Sequence, residues 1–117
     1  MLRVYSYKGC DACRKARKWL QERGIAFEEL PIREQPPSEA ELKAMLESYG
    51  GEMKRLFNIS GQDYRSLGLK EKLAGMTEKE AFELLGSNGN LVKRPFVIGD
   101  AVSTVGFKPA DWEMLFD

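Results

Sequence analysis

Between residues 11 and 23 the apolar side chains Ala12, Ala16, Trp19 and Leu20 recur three or four positions apart, which predicts an amphipathic helix closed at Gly24. The segments on either side have a different rhythm. Residues 2–7, with Val4, Tyr5 and Tyr7, suit a strand ended by the Lys8-Gly9 turn, and residues 25–31 read as a second short strand. A strand, a helix and a strand in this order predict two parallel strands in one sheet.

After a proline-containing stretch at 31–37, Ser38-Glu39-Ala40-Glu41 forms a capping box, in which hydroxyl and carboxylate each satisfy a free amide. It opens a helix with Leu42, Met45, Leu46 and Tyr49 facing inward, stopped by Gly50-Gly51. Residues 53–74 predict short helical pieces broken at Gly61, Gly68 and Gly75. Thr77-Glu78-Lys79-Glu80 is a second capping box, opening a helix with Ala81, Phe82, Leu84 and Leu85 inward. Beyond a polar turn at 87–90, the runs 95–98 and 101–105 around Gly99-Asp100 predict a hairpin. Pro109 then opens a last helix packed through Trp112 and Leu115. The expected architecture is one domain over 1–117, with two strands around a helix, a helical insertion over about 38–90, a hairpin and a terminal helix.

At 117 residues such a domain buries enough apolar surface to stand without disulfide or metal staples, so neither cysteine is required as one. No apolar run approaches the roughly 18 residues of a membrane span, and the N-terminal residues enter a strand pattern without a signal core, so the expected location is the cytoplasm. Acidic and basic residues balance at 18 each, and no long basic tail or DNA-reading helix is visible, which argues against direct nucleic-acid binding. The balance is uneven locally. Lys8, Arg14, Lys15, Arg17 and Lys18 face only Asp11 between residues 8 and 18, an electropositive stretch that equally describes a solvated helix face.

The chain has no histidine, which removes Ser-His and Cys-His nucleophile pairs, and two cysteines alone do not fill a structural zinc shell, so no metal is expected. The two cysteines form Cys10-Asp11-Ala12-Cys13, where the first strand hands over to the first helix. There the free amides and the positive end of the helix dipole favour thiolate, and Lys8 and Arg14 are placed to favour it further. This pattern assigns Cys10 as nucleophile and Cys13, on the same helical face, as the thiol that resolves a mixed disulfide. Half of a metal site, or two unrelated core thiols, are the alternative readings of the pair.

Four segments, Tyr7-Lys8-Gly9-Cys10-Asp11-Ala12-Cys13-Arg14-Lys15-Ala16, Tyr64-Arg65-Ser66-Leu67-Gly68-Leu69, Lys93-Arg94-Pro95-Phe96-Val97 and Val105-Gly106-Phe107-Lys108-Pro109, carry a resemblance to the arsenate reductase/Spx group of thioredoxin-like proteins. The resemblance implies an α/β fold, a four-stranded mixed sheet with a helical subdomain inserted between strands two and three. It implies that Pro95 is the cis-proline facing the reactive cysteine and that Arg94 steadies an anion or a thiolate; from the residues alone these read as a strand-initial proline and a surface cation. Arsenate reductases of this class carry a non-cysteine at the position of Cys13 and grip their oxyanion with three arginines. Here Arg94 matches one, while Asn58 and Lys108 stand at the others, and neither residue type replaces a bidentate arginine, which argues against arsenate.

By the same resemblance the chain is expected to be a thiol-disulfide reductase, catalytic through Cys10, Cys13 and Arg94. Lys8, Arg14, Asn58, Pro95 and Lys108 are its candidate binding residues, with Lys8, Arg14, Arg94 and Lys108 holding glutathione carboxylates or another anion. Glutathione or a protein thiol would serve as reductant, with no bound cofactor, and the default state is a monomer. The alternative is a regulator in the Spx manner, whose Cys10-Cys13 disulfide is a switch and whose partner is the C-terminal domain of the alpha subunit of RNA polymerase, contacted through Gly50-Gly51, Met53, Lys54 and Arg55.

Overall fold

A computed structural model describes residues 1–116. Strands β1 (Leu2–Ser6), β2 (Phe27–Pro31), β3 (Phe96–Ile98) and β4 (Ser103–Val105) form one sheet in the order β2-β1-β3-β4. β1 and β2 are parallel, while β3 pairs antiparallel with both β1 and β4. Helix α1 (Asp11–Glu22) supplies the crossover that parallel neighbours require. Helices α2 (Glu39–Ser48), α3 (Gln62–Ser66), α4 (Leu69–Lys72) and α5 (Glu78–Ser87), with three 3-10 turns at Met53–Leu56, Leu73–Gly75 and Gly89–Leu91, lie between β2 and β3 in sequence, and α6 (Pro109–Leu115) follows β4. This is the thioredoxin-like α/β arrangement with a helical insertion.

Because side chains alternate along each strand, the sheet serves two cores. Val4 and Val97, directly opposite in register, point to the side of Ala16, Trp19, Leu20 and Trp112. Tyr5, Phe96 and Leu30 point to the other side, where Leu42, Met45, Leu46, Phe57, Phe82 and Leu85 of the insertion cover them. Both capping boxes form. Ser38 Oγ accepts from the Glu41 amide at 3.2 Å and Thr77 Oγ1 from the Glu80 amide at 3.1 Å, with each glutamate accepting the cap's amide at 3.0 Å. Glu41 also docks α2 on the sheet, accepting from Tyr5 Oη at 2.6 Å and Arg3 Nη1 at 3.0 Å. Burial, followed by the hydrogen bond to Glu41, raises the Tyr5 hydroxyl pKa well above its ordinary value.

The structure departs from the sequence pattern in four places. The second strand begins at Phe27 rather than at 25, because the Ile25 amide is spent closing α1 on the Leu20 carbonyl (3.0 Å), around Gly24 at φ +66. The hairpin has a four-residue loop rather than a two-residue turn. Its Gly99 amide donates to the Val102 carbonyl (2.8 Å), so β4 starts only at Ser103. Leu115 is 43% exposed, and Phe116, one helical turn beyond Trp112, packs in its place. Finally, the expected turn at 87–90 leads directly into the 3-10 turn that begins at the buried Gly89, where a Cβ would stand 1.9 Å from the Ile32 carbonyl oxygen.

Candidate active site

Cys10 is the N-cap of α1, in extended conformation at φ −90 and ψ 117. Its own amide donates to the Tyr7 carbonyl at 3.0 Å, which fixes the turn leaving β1, and its sulfur accepts from the Cys13 amide at 3.3 Å. A sulfur thus occupies the place that a serine or aspartate oxygen takes at an ordinary helix start, and the amide it accepts favours its anion. Both cysteines are free thiols, Cys10 partly exposed and Cys13 fully buried.

The electrostatics separate the two. A hydrogen bond from the Cys13 thiol is the largest influence on Cys10, joined by the Cys13 amide and by the charge and hydrogen bonding of Arg94. Together they outweigh burial and lower the Cys10 pKa to about 5. The same bond, with burial, pushes the Cys13 thiol above its ordinary value. At neutral pH the pair therefore holds one thiolate, on the accessible sulfur, and one proton, on the buried sulfur.

Arg94 precedes Pro95 through a cis peptide bond, and Pro95 is buried at the start of β3. The Arg94 guanidinium lies 5.2 Å from the centroid of the Tyr7 ring, on which Arg33 also stacks at 4.2 Å; Arg33 Nε donates to Asn90 Oδ1 at 2.6 Å. Arg94 borders two depressions. One is a hollow of about 160 Å³ that includes Tyr7, Arg33, Asn58 and Asp63. The other is a groove of about 390 Å³ bordered by Ala12 of α1, Arg55, Lys93 and Lys108. Cys10, Cys13 and Arg94 are thus brought together, Pro95 follows Arg94 in the chain, and Asn58 and Lys108 border the two separate depressions that Arg94 shares.

Lys8 and Arg14 stand apart from this group. Lys8 is exposed beside Ser6, Arg17 and Glu29 in a different surface hollow. The Arg14 guanidinium is bound to the Asp11 carboxylate, as is Lys15 Nζ at 3.2 Å, and both cations hold the Asp11 pKa below its ordinary value. Arg17 pairs with Glu29 at 2.8 Å. Three of the five cations around the first helix are therefore engaged by acids, and the positive charge acting on Cys10 comes from Arg94, 84 positions away. Tyr7, Arg33, Arg55 and Lys93 were not among the residues that the chain's pattern singled out for the site. Lys93, next to Arg94 in a basic pair before a proline, had a visible signal; the stacking of two arginines on Tyr7 had none. Among the described residues, no group of three or more Cys, Asp or Glu side chains is placed to hold a metal ion.

The model of the ArsC family matches residues 5–115. The uncharacterized protein YusI of Bacillus subtilis is 51% identical over 96% of this chain and 95% of its own length. The global transcriptional regulator Spx of Enterococcus faecalis is 33% identical over 92% of this chain and 80% of its own. Among solved structures, an ArsC-family-related protein of Bacteroides fragilis superposes with a TM-score of 0.89 at 43% identity, covering 97% of this chain and 96% of that one.

Proposed function

The chain belongs to the ArsC family, and from that premise we propose that it is a thiol-disulfide reductase in which Cys10 attacks and Cys13 resolves. The observation that carries the reading is the asymmetric pair: an accessible sulfur at a helix N-cap with its pKa lowered to about 5, held by the amide and thiol of a buried partner. The Cys10 thiolate attacks one sulfur of a substrate disulfide. A bond forms between Sγ and that sulfur, the substrate S–S bond breaks, and the departing thiolate leaves with the electron pair and takes the Cys13 proton. Cys13 then attacks Cys10 Sγ, closing the Cys10-Cys13 disulfide and releasing the second substrate thiol, protonated by solvent. The substrate gains two electrons and the protein loses two.

Two equivalents of a small thiol restore the pair through the reverse exchange, and glutathione is the reductant we assign to this step, as a co-substrate rather than a bound cofactor. Arg94 steadies the Cys10 thiolate and Pro95 borders the entering disulfide, with Lys108 and Asn58 flanking them. The setting is the reducing cytoplasm, with the monomer as the working unit. Glutathione-dependent reduction of bis(2-hydroxyethyl) disulfide, followed by coupled consumption of reduced nicotinamide through glutathione reductase, tests the reading. Turnover that disappears in Cys10→Ser supports it, and no turnover above the uncatalysed exchange removes it.

The likeness to Spx supports a second reading, a redox-controlled contact with the C-terminal domain of the polymerase alpha chain. The loop after α2 offers exposed Gly50, Gly51, Lys54 and Arg55 for such a contact. It requires a complex with that domain whose affinity changes on oxidation of Cys10 and Cys13, together with little turnover of small disulfides.

A further inference from the structure

The groove on the Lys108 flank of Arg94 carries an excess of cations beside the reactive helix start. Arg55, Lys93, Arg94 and Lys108 border it, against one carboxylate, Asp111. Among the described residues Lys93, Arg94 and Lys108 form no ion pair, and Arg55 has only Glu52 at 3.9 Å, both side chains being more than half exposed. Around α1, by contrast, Arg14, Lys15 and Arg17 are paired with Asp11 and Glu29.

Arg55 is also held in place. Its guanidinium stacks on Tyr49, 4.6 Å from the ring centroid. The Tyr49 hydroxyl accepts the Val105 amide at 3.0 Å and shares a hydrogen bond with Thr104 Oγ1 at 3.3 Å, so the ring under Arg55 is tied to β4. A cation fixed in this way loses little freedom on meeting an anion, which is the condition for an exposed charge to contribute to binding. Lys93 adds a second cation immediately before Arg94, and Ala12 brings the groove to the first turn of α1, two residues after Cys10.

We propose that Arg55 and Lys93 are specificity-determining residues that bind the carboxylates of an anionic thiol peptide or its disulfide, seated in this groove while its sulfur reaches Cys10. The assignment rests on the reductase reading and narrows it to a substrate class: small peptide disulfides with net negative charge. Asp111 sets the limit on that charge, giving an ammonium on the same ligand one partner.

The test compares three small disulfides with the full chain: glutathione disulfide, which is anionic, bis(2-hydroxyethyl) disulfide, which is neutral, and cystamine, which is cationic. The rate of Cys10-Cys13 disulfide formation is expected in that order. The preference for glutathione disulfide over the neutral compound is expected to fall about two- to fivefold for each of Arg55→Gln and Lys93→Gln, the scale of an exposed ion pair, and to fall less in Arg55→Lys, which keeps the charge but loses the planar, stacked guanidinium. In the wild-type protein the same preference should shrink as salt is raised from about 0.05 to 0.5 M, over which screening shortens about threefold, so the idea does not depend on any variant folding. Equal rates for the three compounds, or a preference indifferent to salt and to both substitutions, overturn the assignment while leaving the reductase reading intact. No reaction with any of the three overturns both.

Discussion

Replacing Cys13 by alanine removes the thiol that donates to Cys10 while leaving the backbone amide at 3.3 Å in place. A hydrogen bond to a charged acceptor contributes about 1.5–3 kcal/mol, and since the partly exposed Cys10 is screened by water the lower end applies, about 1 to 1.5 pK units. The Cys10 midpoint should therefore move up from about 5 towards about 6.5. Two consequences oppose each other. Below the midpoint less thiolate is available, so the variant should react with iodoacetamide about threefold more slowly at pH 5, where the wild type is half ionised. Above it, a more basic thiolate is intrinsically more reactive, and with a Brønsted slope of about 0.4–0.5 the variant should react about four- to fivefold faster at pH 8. The two pH profiles must cross. Alkylation of Cys10 followed by mass spectrometry across pH 4 to 9 measures both limbs. Parallel profiles, or a variant slower at every pH, would show that Cys13 does not hold the Cys10 anion and would remove the electrostatic basis for assigning their roles.

Arg94→Gln removes a charge and a hydrogen bond from the same thiolate, so its alkylation midpoint should also rise, by about one unit, and less than for Cys13→Ala, because the Cys13 thiol is the larger influence. Lys8→Gln and Arg14→Gln should leave that midpoint within the error of the same assay, since Lys8 lies in another hollow and Arg14 is spent on Asp11. Gly89→Ala would drive a methyl group to 1.9 Å from the Ile32 carbonyl, and separating the two segments should cost about 3 kcal/mol or more in urea unfolding, since backbone rather than a flexible side chain must yield. Glu41→Ala deprives Tyr5, Arg3 and the Ser38 amide of their shared acceptor and should cost about 2–3 kcal/mol by the same measurement.

The parts of the fold legible in the chain are those whose signal is local. Two Ser/Thr-x-x-Glu boxes state where α2 and α5 begin, and the Ala16, Trp19, Leu20 spacing states which face of α1 is buried. The misreadings lie where a boundary is decided by one backbone hydrogen bond. Ile25 belongs to the helix closure rather than to β2, and Val102 to the hairpin loop rather than to β4, because a single amide in each case finds a different carbonyl. In the site, Cys10 and Cys13 announce themselves by spacing. The source of positive charge did not. Counting cations near residue 10 in sequence points to Lys8 and Arg14, but neighbouring acids take up Arg14, and the fold delivers Arg94 from the far end of the chain through the β1-β3 pairing. Charge pairing in three dimensions is invisible to a charge count along one.

The most direct test of the paired roles is to mix the reduced protein with glutathione disulfide and identify the products by intact mass and peptide mapping. The wild type is expected to pass to the Cys10-Cys13 disulfide with release of two glutathione molecules, and Cys13→Ser to stop as a mixed disulfide with glutathione on Cys10. Glutathione found on Cys13 of Cys10→Ser at a comparable rate, or an unmodified wild-type protein after prolonged exposure, would contradict the assignment of Cys10 as the nucleophile of a redox pair.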